Sequence, residues 1–114
     1  MKKILSVLLL MGCICSYAYA KEASTVCASH ILVPTEMDAI KLKSQIKNYD
    51  DFRYYARIYS TCPSGRNGGS LGCFGKGQMV KPFEQAAFEG EMSEVSDPVK
   101  TQFGYHLLWI TDRY

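Results

Sequence analysis

The sequence predicts an α+β domain, an antiparallel sheet covered by helices, and three observations carry that prediction. A run rich in β-formers, Val26 to Val33, stops at Pro34. Two apolar stripes at helical spacing follow it between Ala39 and Tyr59. Near the C-terminus two further β-forming runs flank a turn at Phe103-Gly104. The resulting order is β-α-α-loop-α-β-β, with no internal repeat or linker.

Each element has a local cause. Val26–Val33 is a strand because β-branched residues suit a pleated surface and Pro34 cannot continue the ladder. Thr35 is placed to cap the first helix, with Glu36 and Asp38 in its first turn against the positive end of the dipole. The stripe of that helix is Ala39, Leu42, Ile46 and Tyr49. Asp50 or Asp51 is expected to cap the second, whose stripe is Phe52, Tyr55, Ala56 and Tyr59, with Arg53 and Arg57 on the wet side. Pro63 to Gly77 contains six glycines and reads as loop. Pro82, fitted to a first helical turn, opens a short helix through Phe83, Ala86, Ala87 and Phe88 that Gly90 ends. Glu94–Lys100 and Tyr105–Thr111 are the closing strands.

The ends bound the rest. Lys2 and Lys3, the apolar run Ile4–Cys15 and the small-x-small triplet Ala18-Tyr19-Ala20 make residues 1–20 a secretory leader cut after Ala20. The competing reading takes Leu10-Met11-Gly12-Cys13 as a lipoprotein box anchored through Cys13. The apolar run is too short to span a bilayer comfortably. Residues 21–25 then form a tail and 26–114 the domain. Cleavage removes two lysines and no acid, leaving eleven basic against eleven acidic residues. A neutral chain has no electrostatic footprint for nucleic acid. Three cysteines remain, Cys27, Cys62 and Cys73, with no C-x-x-C pair for thioredoxin-like exchange.

Taken singly, the reactive side chains have ordinary explanations. A lone histidine on a strand is usually a satisfied core residue, and Cys62 alone would be a small hydrophobe. Gly75-Lys76 is followed by Gly77 rather than Ser or Thr, so the glycine loop is no phosphate cradle. Cys62, Cys73, His30 and His106 have zinc-ligand chemistry but lack short paired spacing.

In combination they say more. The segment CPSGRNGGSLGCFGKGQMVKPF (Cys62–Phe83), with ASHILV (Ala28–Val33) and TQFGYH (Thr101–His106), resembles the parvulin family of peptidyl-prolyl cis–trans isomerases. The three blocks stand in the family's order and span nearly all of residues 26–114. The resemblance implies a parvulin-like, FKBP-like four-stranded antiparallel sheet with a Gly-rich active-site loop. It implies that His30 and His106 meet at the floor of a shallow cleft as catalytic residues, with Cys62 facing the substrate amide. Leu71, Met79 and Phe83 match the pocket for the substrate proline, Phe103 its cap. Gln78 and Thr101 match polar positions of the same site, Thr101 supporting the histidines. No cofactor or metal is implied. The expected partners are proline-containing unfolded or nascent exported polypeptides, met by a monomer in the periplasm or outside the cell. The alternative is a parvulin-fold holdase that grips chains without turnover.

Within that family Cys and Asp both occupy the Cys62 position, which argues for an orienting role over covalent attack. Ser70 stands where Asp is common, and Cys73 replaces a residue that is usually not cysteine. No basic insertion follows Val33, so a phosphate-directed preference is not expected. If a disulfide forms, the resemblance favours Cys62–Cys73 on the cleft side, since alternation turns Cys27 to the face opposite His30. The competing expectation is three separate thiols.

Overall fold

The computed structural model describes residues 22–114. The leader read at residues 1–20, and its alternative through Cys13, lie outside the described residues. Strand β1 (Thr25–Val33) is followed by helices α1 (Glu36–Gln45) and α2 (Tyr49–Tyr59) and a 3-10 turn (Pro63–Asn67). Strand β2 (Ser70–Gly75), helix α3 (Lys81–Glu89) and strands β3 (Val99–Thr101) and β4 (Gly104–Arg113) complete the chain. The sheet has the order β2-β1-β4-β3, and every pair in it is antiparallel. The α+β class and the four-stranded antiparallel sheet are therefore as expected.

Alternation along β1 and β4 divides the core. Ile31, Val33, Leu107 and Trp109 turn to one face, where they pack on Ala39, Leu42, Phe52 and Ala56 of α1 and α2. Val26, Ala28, Leu108 and Ile110 turn to the other, against Phe83 and Ala87 of α3 and Phe74 of β2. Even-numbered residues of both central strands thus face α3, and His30 and His106 are among them.

Three expectations need correction. Tyr49 does not extend the first helix: Asn48 accepts a hydrogen bond from the Asp51 N–H and opens α2 itself, where an Asp cap had been expected. The glycine loop contains an edge strand, β2, because positive-φ glycines at 68 and 69 turn the chain back onto β1. Of Glu94–Lys100 only Val99 and Lys100 join the ladder, with Thr101 completing β3, while Val95 makes an isolated bridge, as Met92 does just before the run.

Strand β2 also revises the cysteines. It sets Cys73 directly opposite Cys27 in the β1–β2 register, and the two form a disulfide. Cys27 does turn away from His30, as alternation requires. Cys73 turns with it, since its neighbour Phe74 packs in the α3-side core. The pair is therefore Cys27–Cys73, on the face away from the cleft, and among the described residues Cys62 is the free thiol.

Candidate active site

His30 lies in the central strand and His106 on its neighbour, both 5% exposed. Their rings stack with centroids 5.1 Å apart, and the two Nδ1 atoms are 3.0 Å apart. Burial pushes the pKa of His30 down to about 4, with the charge of His106 as a second cause. Burial lowers His106 as well. Both rings are thus neutral near pH 7.

The pair is the middle of a longer chain of hydrogen bonds. Thr101 Oγ1 is 2.7 Å from His106 Nε2 and accepts the Phe103 N–H at 3.2 Å. On the other side His30 Nε2 is 3.1 Å from Ser64 Oγ, which donates to Cys62 Sγ at 3.2 Å. One direction gives every hydroxyl and ring hydrogen an acceptor: Thr101 to His106, His106 to His30, His30 to Ser64, Ser64 to the sulfur. Among the described residues no buried side-chain polar atom is left without a partner.

Backbone geometry holds this chain in place. The Thr61 N–H donates to Leu32 O at 2.8 Å, and the Leu32 N–H to Ser60 Oγ at 3.1 Å, pinning the end of α2 to β1. Gly69, at φ +83°, lies so close to the His30 carbonyl that a Cβ there would collide with it. The His30 N–H in turn donates to Gly69 O at 2.9 Å.

A cavity of about 550 Å³ opens above the histidines. His30, His106, Cys62, Leu71, Gln78, Met79, Phe83 and Phe103 all line it. Thr101 does not; it is buried behind His106. Phe83 is 3% exposed and its ring meets both imidazoles edge-on, at 5.5 and 5.2 Å. Phe103, 60% exposed, stands at the rim. Gln78 accepts the Gly75 N–H at 3.1 Å and so closes the turn after β2. Ser64 is the residue that sequence reasoning missed. A hydroxyl in an aperiodic loop gives no signal beyond its place two residues after Cys62. No group of three His, Cys, Asp or Glu side chains among the described residues is arranged to hold a metal ion.

A sheet floor bearing a neutral histidine pair, under an apolar cleft walled by a glycine-rich loop, defines the parvulin class. The family model for the rotamase PPIC-type PPIase domain matches residues 30–112. The chain belongs to that family. Foldase protein PrsA of Geobacillus kaustophilus is 51% identical over 87 residues, which is 75% of this chain and 31% of that protein. The crystal structure of the peptidylprolyl isomerase PrsA from Bacillus cereus aligns with a TM-score of 0.73 and 39% identity, over 82% of this chain and 36% of that one. Pin from the psychrophilic archaeon Cenarcheaum symbiosum aligns with a TM-score of 0.70 and 40% identity, over 82% of this chain and 98% of that one. The chain spans about a third of the length of the curated PrsA relatives it matches.

Proposed function

We propose that the chain catalyses cis–trans rotation about X-Pro peptide bonds in exported polypeptides and so assists their folding. The observation that carries this is the joining of an apolar cavity to a neutral, fully hydrogen-bonded polar floor. Rotating an amide means crossing roughly 18–20 kcal/mol of resonance energy, which leaves uncatalysed prolyl isomerisation at about 10–100 s. A 10⁵-fold acceleration needs only about 7 kcal/mol of transition-state stabilisation. The twisted amide loses its double-bond character and with it much of its charge separation. A dry pocket favours that less polar state over the planar one.

In this reading Leu71, Met79 and Phe83 hold the proline ring and Phe103 covers it. His30 and His106 are catalytic as a neutral scaffold that fixes the floor, with Thr101 behind them. Ser64 aims the Cys62 sulfur at the substrate amide, where it orients and polarises without forming a bond. Gln78 shapes the loop wall. No proton or covalent bond needs to change hands.

Export rests on reading residues 1–20 as a secretory leader, and a Cys27–Cys73 bridge fits an oxidising compartment. Among the described residues no helix is long and apolar enough to cross a membrane. A protease-coupled isomerisation assay on Ala-Ala-Pro-Phe anilide tests the reading. Catalysis that Met79→Ala weakens is expected. Suppression of client aggregation with no catalysed isomerisation would replace it with the holdase reading.

A further inference from the structure

A second hollow, of about 370 Å³, adjoins the proline cavity across the Cys62–Pro63 edge. The two share Thr61, Cys62 and Pro63. What distinguishes the second is charge: its far walls are Arg57, from the last turn of α2, and Arg66, from the 3-10 turn. Both side chains are exposed, and neither takes part in the two ion pairs found among the described residues, Lys43–Asp97 and Lys76–Glu22.

The charge pattern of the sequence points to the same place. From Phe52 to Phe83 the chain carries five bases, Arg53, Arg57, Arg66, Lys76 and Lys81, and no acid. From Glu84 to Asp97 it carries five acids and no base. The acid-free segment supplies most of the cleft wall. With residues 1–20 read as a removed leader the chain is neutral overall, yet this segment brings only bases to the cleft wall. Lys76 is paired with Glu22, whereas Arg57 and Arg66 have no ion-pair partner among the described residues and so attract anionic chains locally. Arg57 at a helix C-terminus has a structural use of its own against the dipole. That use does not require Arg66 to share its hollow.

We infer that this hollow is a specificity subsite for a carboxylate side chain immediately before the substrate proline. The inference rests on the isomerase reading and extends it. The amide carbonyl that faces Cys62 belongs to the residue before proline. With the proline ring in the apolar cavity, that residue lies at the Cys62–Pro63 edge, and its side chain reaches the two guanidinium groups. Glu or Asp there gains two solvent-exposed ion pairs, and Lys meets two like charges.

The test is protease-coupled kinetics on the mature chain with Ala-Xaa-Pro-Phe anilides, Xaa being Glu, Ala, Lys or phosphoserine. The expected Glu-to-Ala ratio of kcat/KM is about fivefold, the size two exposed ion pairs give, with Lys below Ala. Arg57→Gln/Arg66→Gln should bring the ratio to about one. So should 1 M salt, where the Debye length is about 3 Å. Equal turnover of the Glu, Ala and Lys peptides overturns the subsite and leaves the isomerase reading standing. A ratio that survives the double substitution overturns it too. A phosphoserine peptide preferred far beyond the Glu peptide reassigns the hollow to phosphate and ends the carboxylate assignment. No turnover of any peptide removes the isomerase reading itself.

Discussion

His30 and His106 face each other through like nitrogens, Nδ1 to Nδ1 at 3.0 Å, so they are locked in opposite tautomers. A hydrogen bond there needs one Nδ1 protonated and the other bare. Charging His30, the acceptor of the two, would place hydrogens on both Nδ1 atoms. Burial, and second the charge of His106, push His30 from 6.5 down to about 4, and the contact geometry opposes a proton on its Nδ1 as well.

The pH dependence follows with a definite sign. Between about pH 4 and 6.5 the unfolded chain binds a proton at residue 30 that the native state refuses. Stability contributed by this residue is thus complete above about 6.5 and lost as pH falls toward 4, by about 3 kcal/mol in all. Activity of the folded protein, in contrast, should stay level down to about pH 5 and drop near 4. An activity midpoint near 6.5, at a pH where circular dichroism shows full folding, would contradict a neutral pair.

Ser64 joins that pair to the thiol, accepting from one side and donating to the other. Ser64→Ala should leave the His30 Nε2 hydrogen unpaired and the sulfur unaimed. We expect kcat/KM to fall about tenfold, KM to change little, and the pKa of His30 seen by NMR to move. Ser64→Thr should restore most of the activity. Loss of stability with an unmoved histidine titration would reduce Ser64 to a loop-packing role.

Cys62 can be tested by its polarity. An Asp at this position accepts the same hydrogen bond from Ser64, whereas Ala accepts none. Cys62→Asp should keep substantial activity and Cys62→Ala should lose more. Covalent attack predicts that both are dead and that an acyl adduct accumulates, detectable by mass spectrometry.

How much of this was legible in the sequence depended on periodicity. Strand β1 and helices α1, α2 and α3 follow from apolar spacing, from Thr35 and Gly90 as caps and from Pro82 in a first helical turn. Strand β2 did not, because Ser-Leu-Gly-Cys-Phe-Gly is an edge strand in which only Phe74 is buried. Without β2 there is no register to set Cys73 opposite Cys27, so neither the Cys62–Cys73 pairing nor three separate thiols matches the Cys27–Cys73 bridge. His30 and His106 were legible as a pair through the family blocks, and strand parity explains why they share a face. Ser64 was not, since it occupies a 3-10 turn whose side chains obey no period.

The pocket wall carries two kinds of load. Phe83 touches both histidines and Phe74 and is almost wholly buried. Phe83→Ala should lower kcat/KM at least tenfold and also cost about 3–5 kcal/mol of stability. Met79, only partly buried at the edge of the same cluster, separates the two effects. Met79→Ala should keep the fold and lose severalfold in kcat/KM, mostly through KM. Full activity in a folded Met79→Ala protein would remove the pocket assignment.

The Cys27–Cys73 bridge is a stability device placed away from the chemistry. It joins residues separated by 46 positions in sequence and ties edge strand β2, which carries Leu71, to the strand that carries His30. In the chain-entropy model such a loop contributes about 4 kcal/mol. For a domain of this size that corresponds to a Tm lower by about 15–30 °C after reduction. Below the new Tm the reduced protein should keep most of its activity, because neither sulfur lines the cavity and Cys62 stays free in both states. Intact mass of the oxidised mature chain should show the loss of two hydrogens, and alkylation should label Cys62 alone. Labelling of Cys27 or Cys73 in the oxidised, folded protein, or activity abolished by mild oxidant and restored by dithiothreitol, would return the redox chemistry to the cleft.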